Sequence, residues 1–347
     1  MTAPRPSIDP VIWTPPAAPP RARRGSGDVP MPAVRLLDVI GTGPEDVVLD
    51  AEGRVLTGVE DGRVLRLSPE GDRVEVVADT GGRPLGVEVD RDGTLVVSDA
   101  HRGLLRVDPA DGAVTTLVAT GDDAGGAPLT LCDNATVGAD GTIFFSDSSG
   151  RFALEHWQAD LLEHSGTGRL LRRDPDGSVE PVLTGLHFAN GVALAEDESF
   201  VVVAETGAYR LTRLWLTGPA AGTTGVLVDN LPGFPDNVAL GDDGLLWVAL
   251  ASPRNALIDR LAPRHPVLRR ALWALPPALH PAPANTAWVQ AYTPRGELVH
   301  DLQSTVEGFS AVTGVRVRDG AVWLGSLYGG HVATFAPPPA RNTAGPA

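Results

Sequence analysis

The stretch VEVDRDGTLVVSD, residues 87–99, reads as a complete β-hairpin. Valines alternate up to a turn at Asp92 and Gly93, and an apolar run follows. Asp-Gly supplies the positive φ of a tight reversal, and apolar residues at every second position mark a strand. Working outward, the arrangement recurs as VVLDAEGRVLTG (47–58), ATVGADGTIFFSD (135–147), VALAEDESFVVVAE (192–205), VALGDDGLLWVAL (238–250) and VRVRDGAVWLGS (315–326). The turn anchors are Gly53, Gly93, Gly141, Glu198, Gly244 and Gly320, and the first four intervals between them span about 40 to 57 residues. Such a repeat fits propeller blades of four strands each. Outer hairpins such as GRVLRLSPEGDRVEVV (62–77) and GLLRVDPADGAVTTLV (103–118) fill the gaps.

The expected fold is therefore an all-β, six-bladed β-propeller over residues 33–337. The last repeat stops in Pro and Ala without an outer strand, whereas AVRLLDVI (33–40) precedes the first repeat without a partner. That segment is expected to supply the missing strand and close the ring, which protects the sheet edges. Residues 1–32, rich in Pro, Ala and Arg, and residues 338–347 are expected to be flexible tails.

Net charge is −15, which argues against a nucleic-acid partner, since phosphate binding needs clustered cations. All 28 basic residues are Arg, a pattern that base composition accounts for. Cys132 is the single cysteine, so no intrachain disulfide can form. No signal-peptide core and no span of 18 apolar residues is present, and the expected location is the cytoplasm. The long last interval holds an insertion, 253–283, with Leu257, Leu261, Leu268, Leu272 and Leu275 at helical spacing and Arg260, Arg264, Arg269 and Arg270 among them. Three readings compete: a surface helix packed on the propeller, a lid over the channel, or a membrane-surface helix.

Counting back eight residues from each anchor gives Glu45, Leu85, Asp133, Asn190, Asp236 and Val312. Equivalent positions in a ring converge at one end of its axis. Four of these six carry carboxylate or amide oxygens, the hard ligands that Ca2+ requires. The competing reading is that they cap strand ends and satisfy loop amides. Burying Glu45, Asp133 and Asp236 together without a cation would be costly, because like charges repel strongly away from water. Other candidates are weaker. Cys132 lacks a visible His partner and reads as a small buried thiol. His187 and His331 could reach the channel mouth from loops. Ser146, Asp147 and Ser148 follow a strand and read as a turn cap, with no nucleophile elbow.

The chain resembles the strictosidine synthase-like group of six-bladed propellers, within the wider superfamily of gluconolactonases (senescence marker protein) and paraoxonases. The resemblance spans about residues 33–335 and rests on GGRPLGVEVDRDGTLVVSDAHRGLLRVDP, GTIFFSDSSGRF, HFANGVALAEDESFVVVAET and LPGFPDNVAL. It implies a divalent metal at the top of the channel, held by Glu45, Asn190 and Asp236 with Asn237 beside it. The third ligand departs from the family's Asn-Asp order, since this chain has Asp133-Asn134. Ala311 to Val315 hold no carboxylate where the plant synthase has its base, which argues against strictosidine synthase activity. Leu85 stands where paraoxonases carry a catalytic His. The implied activity is calcium-dependent hydrolysis of a small-molecule lactone or related ester, with Asp236 as general base. The alternatives are a cyclase or C–N bond-forming enzyme, or a binding propeller with a structural metal. Nothing in the sequence fixes the oligomeric state.

Overall fold

The computed structural model describes residues 5–23 and 29–339. Six sheets stand around one axis, each built on antiparallel strands consecutive in the chain, with two N-terminal strands added to the last two. Blade I holds strands 48–49, 55–58, 63–67 and 74–79, blade II spans 84–119, blade III 132–186, blade IV 189–228, blade V 233–304 and blade VI 312–335. The first strand of each blade lies innermost, and later strands step outward. Burial follows that radial order. The second strands, such as Leu95–Asp99, Ile143–Asp147 and Phe200–Glu205, are buried along their whole length. They pack on neighbouring blades through both faces, which explains why they read as continuous apolar runs. The outermost strands, such as Val114–Ala119, are largely open to water. Core side chains interlock between blades: Val96 and Leu104 of blade II meet Ile143, Phe145 and Leu171 of blade III.

The inner hairpin turns behave as their sequences require. Gly93 adopts φ 82°, a conformation free of strain only without a side chain. Glu198 takes the equivalent turn at φ 54° in blade IV, and its carboxylate accepts the Ala139 amide of blade III at 2.6 Å.

The ring closes as expected. Arg35–Asp38 pairs antiparallel with His331–Phe335, with Arg35 opposite Thr334 and Asp38 opposite His331. The first and last residues of the propeller thus share blade VI.

Residues 5–23 do not form a free tail, a correction to the expectation for 1–32. The segment lies across the top of the ring and down its side. Trp273 donates to the Pro6 carbonyl, Arg269 to the Val11 carbonyl and Arg254 to the Pro16 carbonyl. Ile8 is buried, and Trp13 stacks on His164 at 4.0 Å. Val29–Pro30 then adds a parallel edge strand to blade V. The cause is remote: the donors that seize this strap sit more than 200 residues away in the sequence. The remainder of the expected C-terminal tail, 340–347, lies outside the described residues.

Three short helices roof the top face. α1 is Trp157–Glu163, inside blade III and not foreseen from the sequence. The insertion folds into α2, Ala256–Leu261, capped by Asn255, and α3, Val267–Ala274. Phe152, Ala159 and Leu162 of blade III pack on Leu272, Trp273 and the strap's Ile8. Of the five helically spaced leucines in the insertion, Leu272 is buried and Leu261 half-buried, whereas Leu257, Leu268 and Leu275 face water, as does Leu279 beyond them. Among the described residues no helix is long and apolar enough to cross a membrane.

Candidate metal centre

Five inner strands slip register at one level: between Pro84 and Gly86, Cys132 and Ala135, Ala189 and Val192, Pro235 and Val238, and Val312 and Val315. A bulge sets two residues against one and re-aims their side chains. Here it splits consecutive residues into two tiers. The upper tier lines one cavity, where Glu45, Asp133, Asn190 and Asp236 meet beside Leu85. The convergence expected from the eight-residue offset is thus present in space. Val312 is not among the lining residues, and its neighbours Ala311 and Thr313 take its place.

The lower tier ties the blades together and was not singled out from the sequence as a group. Asp46 accepts the Val87 amide of blade II and the Asn134 side chain of blade III, both at 3.2 Å. Asn134 accepts the Val192 amide of blade IV at 2.9 Å. Asn237 of blade V reaches Glu45 at 3.5 Å, and the Thr313 hydroxyl of blade VI donates to the Glu45 carbonyl at 2.7 Å. Backbones crowd here. A Cβ on Gly191 would stand 2.4 Å from Cα of Asn237, so only glycine lets blade IV approach blade V so closely. The signal available in the sequence was the polar residue that follows Glu45, Asp133 and Asp236.

The upper tier is buried and negatively charged. Burial pushes the Glu45 carboxyl well above the usual range, and the Asp236 and Asp133 carboxylates push it further. Burial likewise raises Asp236, reinforced by Asp133 and Asp46. Asp133 is raised to about 7, again chiefly by burial, against a 2.7 Å hydrogen bond from Ser148. Among the described residues no three His, Cys, Asp or Glu side chains close into a metal cluster by themselves. The mouth instead offers a mixed set, three carboxylates with two carboxamides. Asn190 Oδ1, Asp236 Oδ1 and Asn237 Oδ1 are buried without hydrogen-bond partners. Buried orphan acceptors are rare, and three at one place call for a cation or donor that the chain does not supply. The donor set therefore fits a hard divalent ion, which would also draw the raised carboxyls back to their charged forms.

Above the oxygens the cavity is apolar. Leu154, Trp157, Leu161 and Phe188 line it from blades III and IV, Ile258 and Pro281 from the insertion. Among the described residues no Arg lines it; the roof's polar side chains there are Asn255, Gln158 and His280, the last two 3.4 Å apart. The insertion is thus part of the cavity wall, which a helix packed only on the outside would not be.

The remaining candidates lie elsewhere. His187 stacks on His164 at 3.8 Å outside the cavity lining, and His331 pairs with Asp38 at 3.0 Å on blade VI. Cys132 is fully buried, and burial drives its thiol far above its ordinary range, so it is no nucleophile. Ser146 bonds the Asn134 amide, Asp147 pairs with Arg169 at 2.6 Å, and Ser148 holds Asp133.

Fold and mouth together define a six-bladed propeller with an oxygen-lined channel end. The strictosidine synthase family model matches residues 133–219, and the model for the N-terminal part of strictosidine synthase-like proteins matches residues 32–67. The chain is 34% identical over 335 residues to the protein strictosidine synthase-like 10 of Arabidopsis thaliana, covering 87% of each. It is 32% identical over 326 residues to the adipocyte plasma membrane-associated protein of Salmo salar, covering 85% of this chain and 76% of that one. The chain belongs to the strictosidine synthase-like family. In fold it overlays a gluconolactonase from Xanthomonas campestris with a TM-score of 0.65 at 20% identity, over 96% of this chain and 99% of that one. It also overlays the calcium-binding protein regucalcin from Agrobacterium tumefaciens with a TM-score of 0.59 at 12% identity, over 86% and 94%.

Proposed function

We propose that the protein is a divalent-metal-dependent hydrolase, with Ca2+ the favoured ion, acting on a neutral, apolar lactone or related ester. The observation that carries this reading is the orphan oxygens of Asn190 and Asp236 at the floor of an apolar cavity, with a third on Asn237, the next residue in the chain. Glu45, Asp133, Asn190, Asp236 and Asn237 would hold the ion. When bound, the ion supplies Lewis acidity towards a carbonyl oxygen. Asp236 would offer one carboxylate oxygen, the orphan Oδ1, to the ion and serves as general base through the other. It takes a proton from the attacking water, whose oxygen bonds to the carbonyl carbon while the ring oxygen leaves and is protonated. The apolar wall seats the alkyl or aryl part and excludes bulk water. The absence of Arg from that wall disfavours anionic substrates, and the scarcity of hydroxyl partners disfavours sugar lactones.

A gluconolactonase and a calcium-binding protein among the structural neighbours are in keeping with this chemistry. Amine–aldehyde condensation is disfavoured, because Thr313 stands in the last blade where a base is needed and its hydroxyl is engaged by Glu45. The test is a panel of alkyl lactones, aryl esters and gluconolactone, assayed with chelator and with Ca2+ restored. The expected result is turnover of the apolar members, abolished by chelator and recovered with Ca2+. Bound metal without turnover of any member would make the ion structural and the propeller a binding module.

A further inference from the structure

The outer surface of the roof inverts the usual pattern of a surface helix. The buried side chains of α3 are Arg269, Leu272 and Trp273. Arg269 is consumed by the carbonyls of Leu162, Val11 and Ala262. The opposite arc turns Val267, Leu268, Ala271, Ala274 and the C-capping Leu275 to water, with Arg270 the one charge among them, where charge normally predominates. Seven of the eleven large apolar side chains exposed among the described residues belong to this roof, five on the insertion and Val11 and Ile12 on the strap beside it. Scattered exposed apolar residues need no explanation, but a concentration on one face marks an interaction surface.

Charge reverses at the same place. Residues 253–283 carry five Arg and one acid, on a chain of net charge −15. Arg254 pairs with Asp259 and Arg270 with Asp9. Arg260 and Arg264 are exposed and have no acidic partner among the described residues. An apolar face fringed by free guanidinium groups matches an anionic bilayer, which offers acyl chains behind a layer of negative headgroups. A second copy matches less well, since a two-fold contact would set Arg260 and Arg264 against their own equivalents.

We infer that the roof docks on an anionic lipid surface, with Arg260 and Arg264 at the headgroups and Leu268, Leu275 and Leu279 entering the interface. This inference does not depend on the hydrolase reading. Docking would bring the cavity, which the same insertion walls, against the bilayer.

The test uses the full chain and co-sedimentation with vesicles of phosphatidylcholine alone or of equimolar phosphatidylcholine and phosphatidylserine. Binding to the anionic vesicles is expected, falling with added salt, with little binding to the neutral ones. Leu268→Glu combined with Leu275→Glu should reduce the partition coefficient at least about tenfold, the scale of withdrawing one buried leucine. Val226→Glu, on the outer wall of blade IV, should leave it unchanged. Should the double leucine variant fail to fold, Arg260→Glu with Arg264→Glu carries the same test and should make anionic and neutral vesicles equivalent. The inference is overturned by absence of binding to either vesicle, or by folded variants that bind like the unaltered protein. Self-association that Leu268→Glu abolishes, in a protein that ignores vesicles, overturns it too and assigns the face to a second copy.

Discussion

Asp236 stands at the channel mouth with one oxygen unpartnered and two other buried carboxyls close enough to raise its pKa. Without a cation this arrangement opposes folding, so function and stability should part company there. In chelator, Asp236→Asn should melt a few degrees higher than the unaltered protein, a gain of about 1–2 kcal/mol from removing one repelled carboxylate. With Ca2+ added, only the unaltered protein should gain further, since only it binds the ion tightly. Thermal melts with and without Ca2+ read both effects, and equal shifts in the two proteins would place the ion elsewhere. His164 provides a second prediction. It is sandwiched between Trp13 and His187, and burial pushes its pKa down to about 3. Its folded pKa lies below that of the free imidazole, so its contribution is complete above about pH 6.5 and is lost as pH falls towards 3. Asp160, raised to about 6 by burial, acts in the opposite sense, its contribution fading as pH rises through 6. His164→Phe keeps the stack and removes the imidazole. Its melting temperature should therefore fall less than that of the unaltered protein between pH 6.5 and pH 4.5.

Among the elements, the inner strands carry the site because they bulge. The bulge shifts the alternation by one residue just where the strand turns polar, so the apolar pattern that marks the strand did not reveal it. Its dependence on close backbone approach can be tested at Gly191. Gly191→Ala would force a Cβ into the backbone of Asn237 and Val238, at 2.4 and 2.3 Å. A loss of several degrees in melting temperature together with weakened Ca2+ binding is expected, because Asn237 and Asp236 share that strand. Gly225→Ala, on an outer strand with open space around it, should change neither. Calorimetric titration with Ca2+ alongside thermal melts separates the two variants. The roof shows what propensity alone misses. The leucine spacing in the insertion was legible as helical, yet most of those leucines face outward and a buried Arg269 takes the inner position. The reason is that carbonyls of α1 and the strap converge on that guanidinium, and sequence does not show them.

For the whole molecule, two parts of the N-terminus do separate jobs. Residues 35–38 close blade VI, and residues 5–23 strap the roof. Removing residues 1–23 should leave a folded propeller with near-native strand content, a modest loss of melting temperature and faster proteolysis within 253–283. Removing residues 1–40 should abolish the cooperative transition, because two sheet edges open at once. Circular dichroism melts and limited proteolysis distinguish the two outcomes, and identical melts for both truncations would contradict this division.

The sequence by itself determined the blade number, the closing strand and the four upper-tier oxygens, because each is written in a local repeat whose period the fold preserves. Asp-Gly turns, apolar second strands and a constant eight-residue offset survive translation into three dimensions, since every blade is built by one rule. Tertiary structure alone decided the rest. The lower tier of Asp46 and Asn134, the place of α1 in the roof, the strap over Trp273 and the apolar outer face of α3 all depend on partners brought in from distant parts of the chain. A repeat fixes where a residue stands in its own blade. Only the closed ring, with its roof in place, fixes what that residue meets.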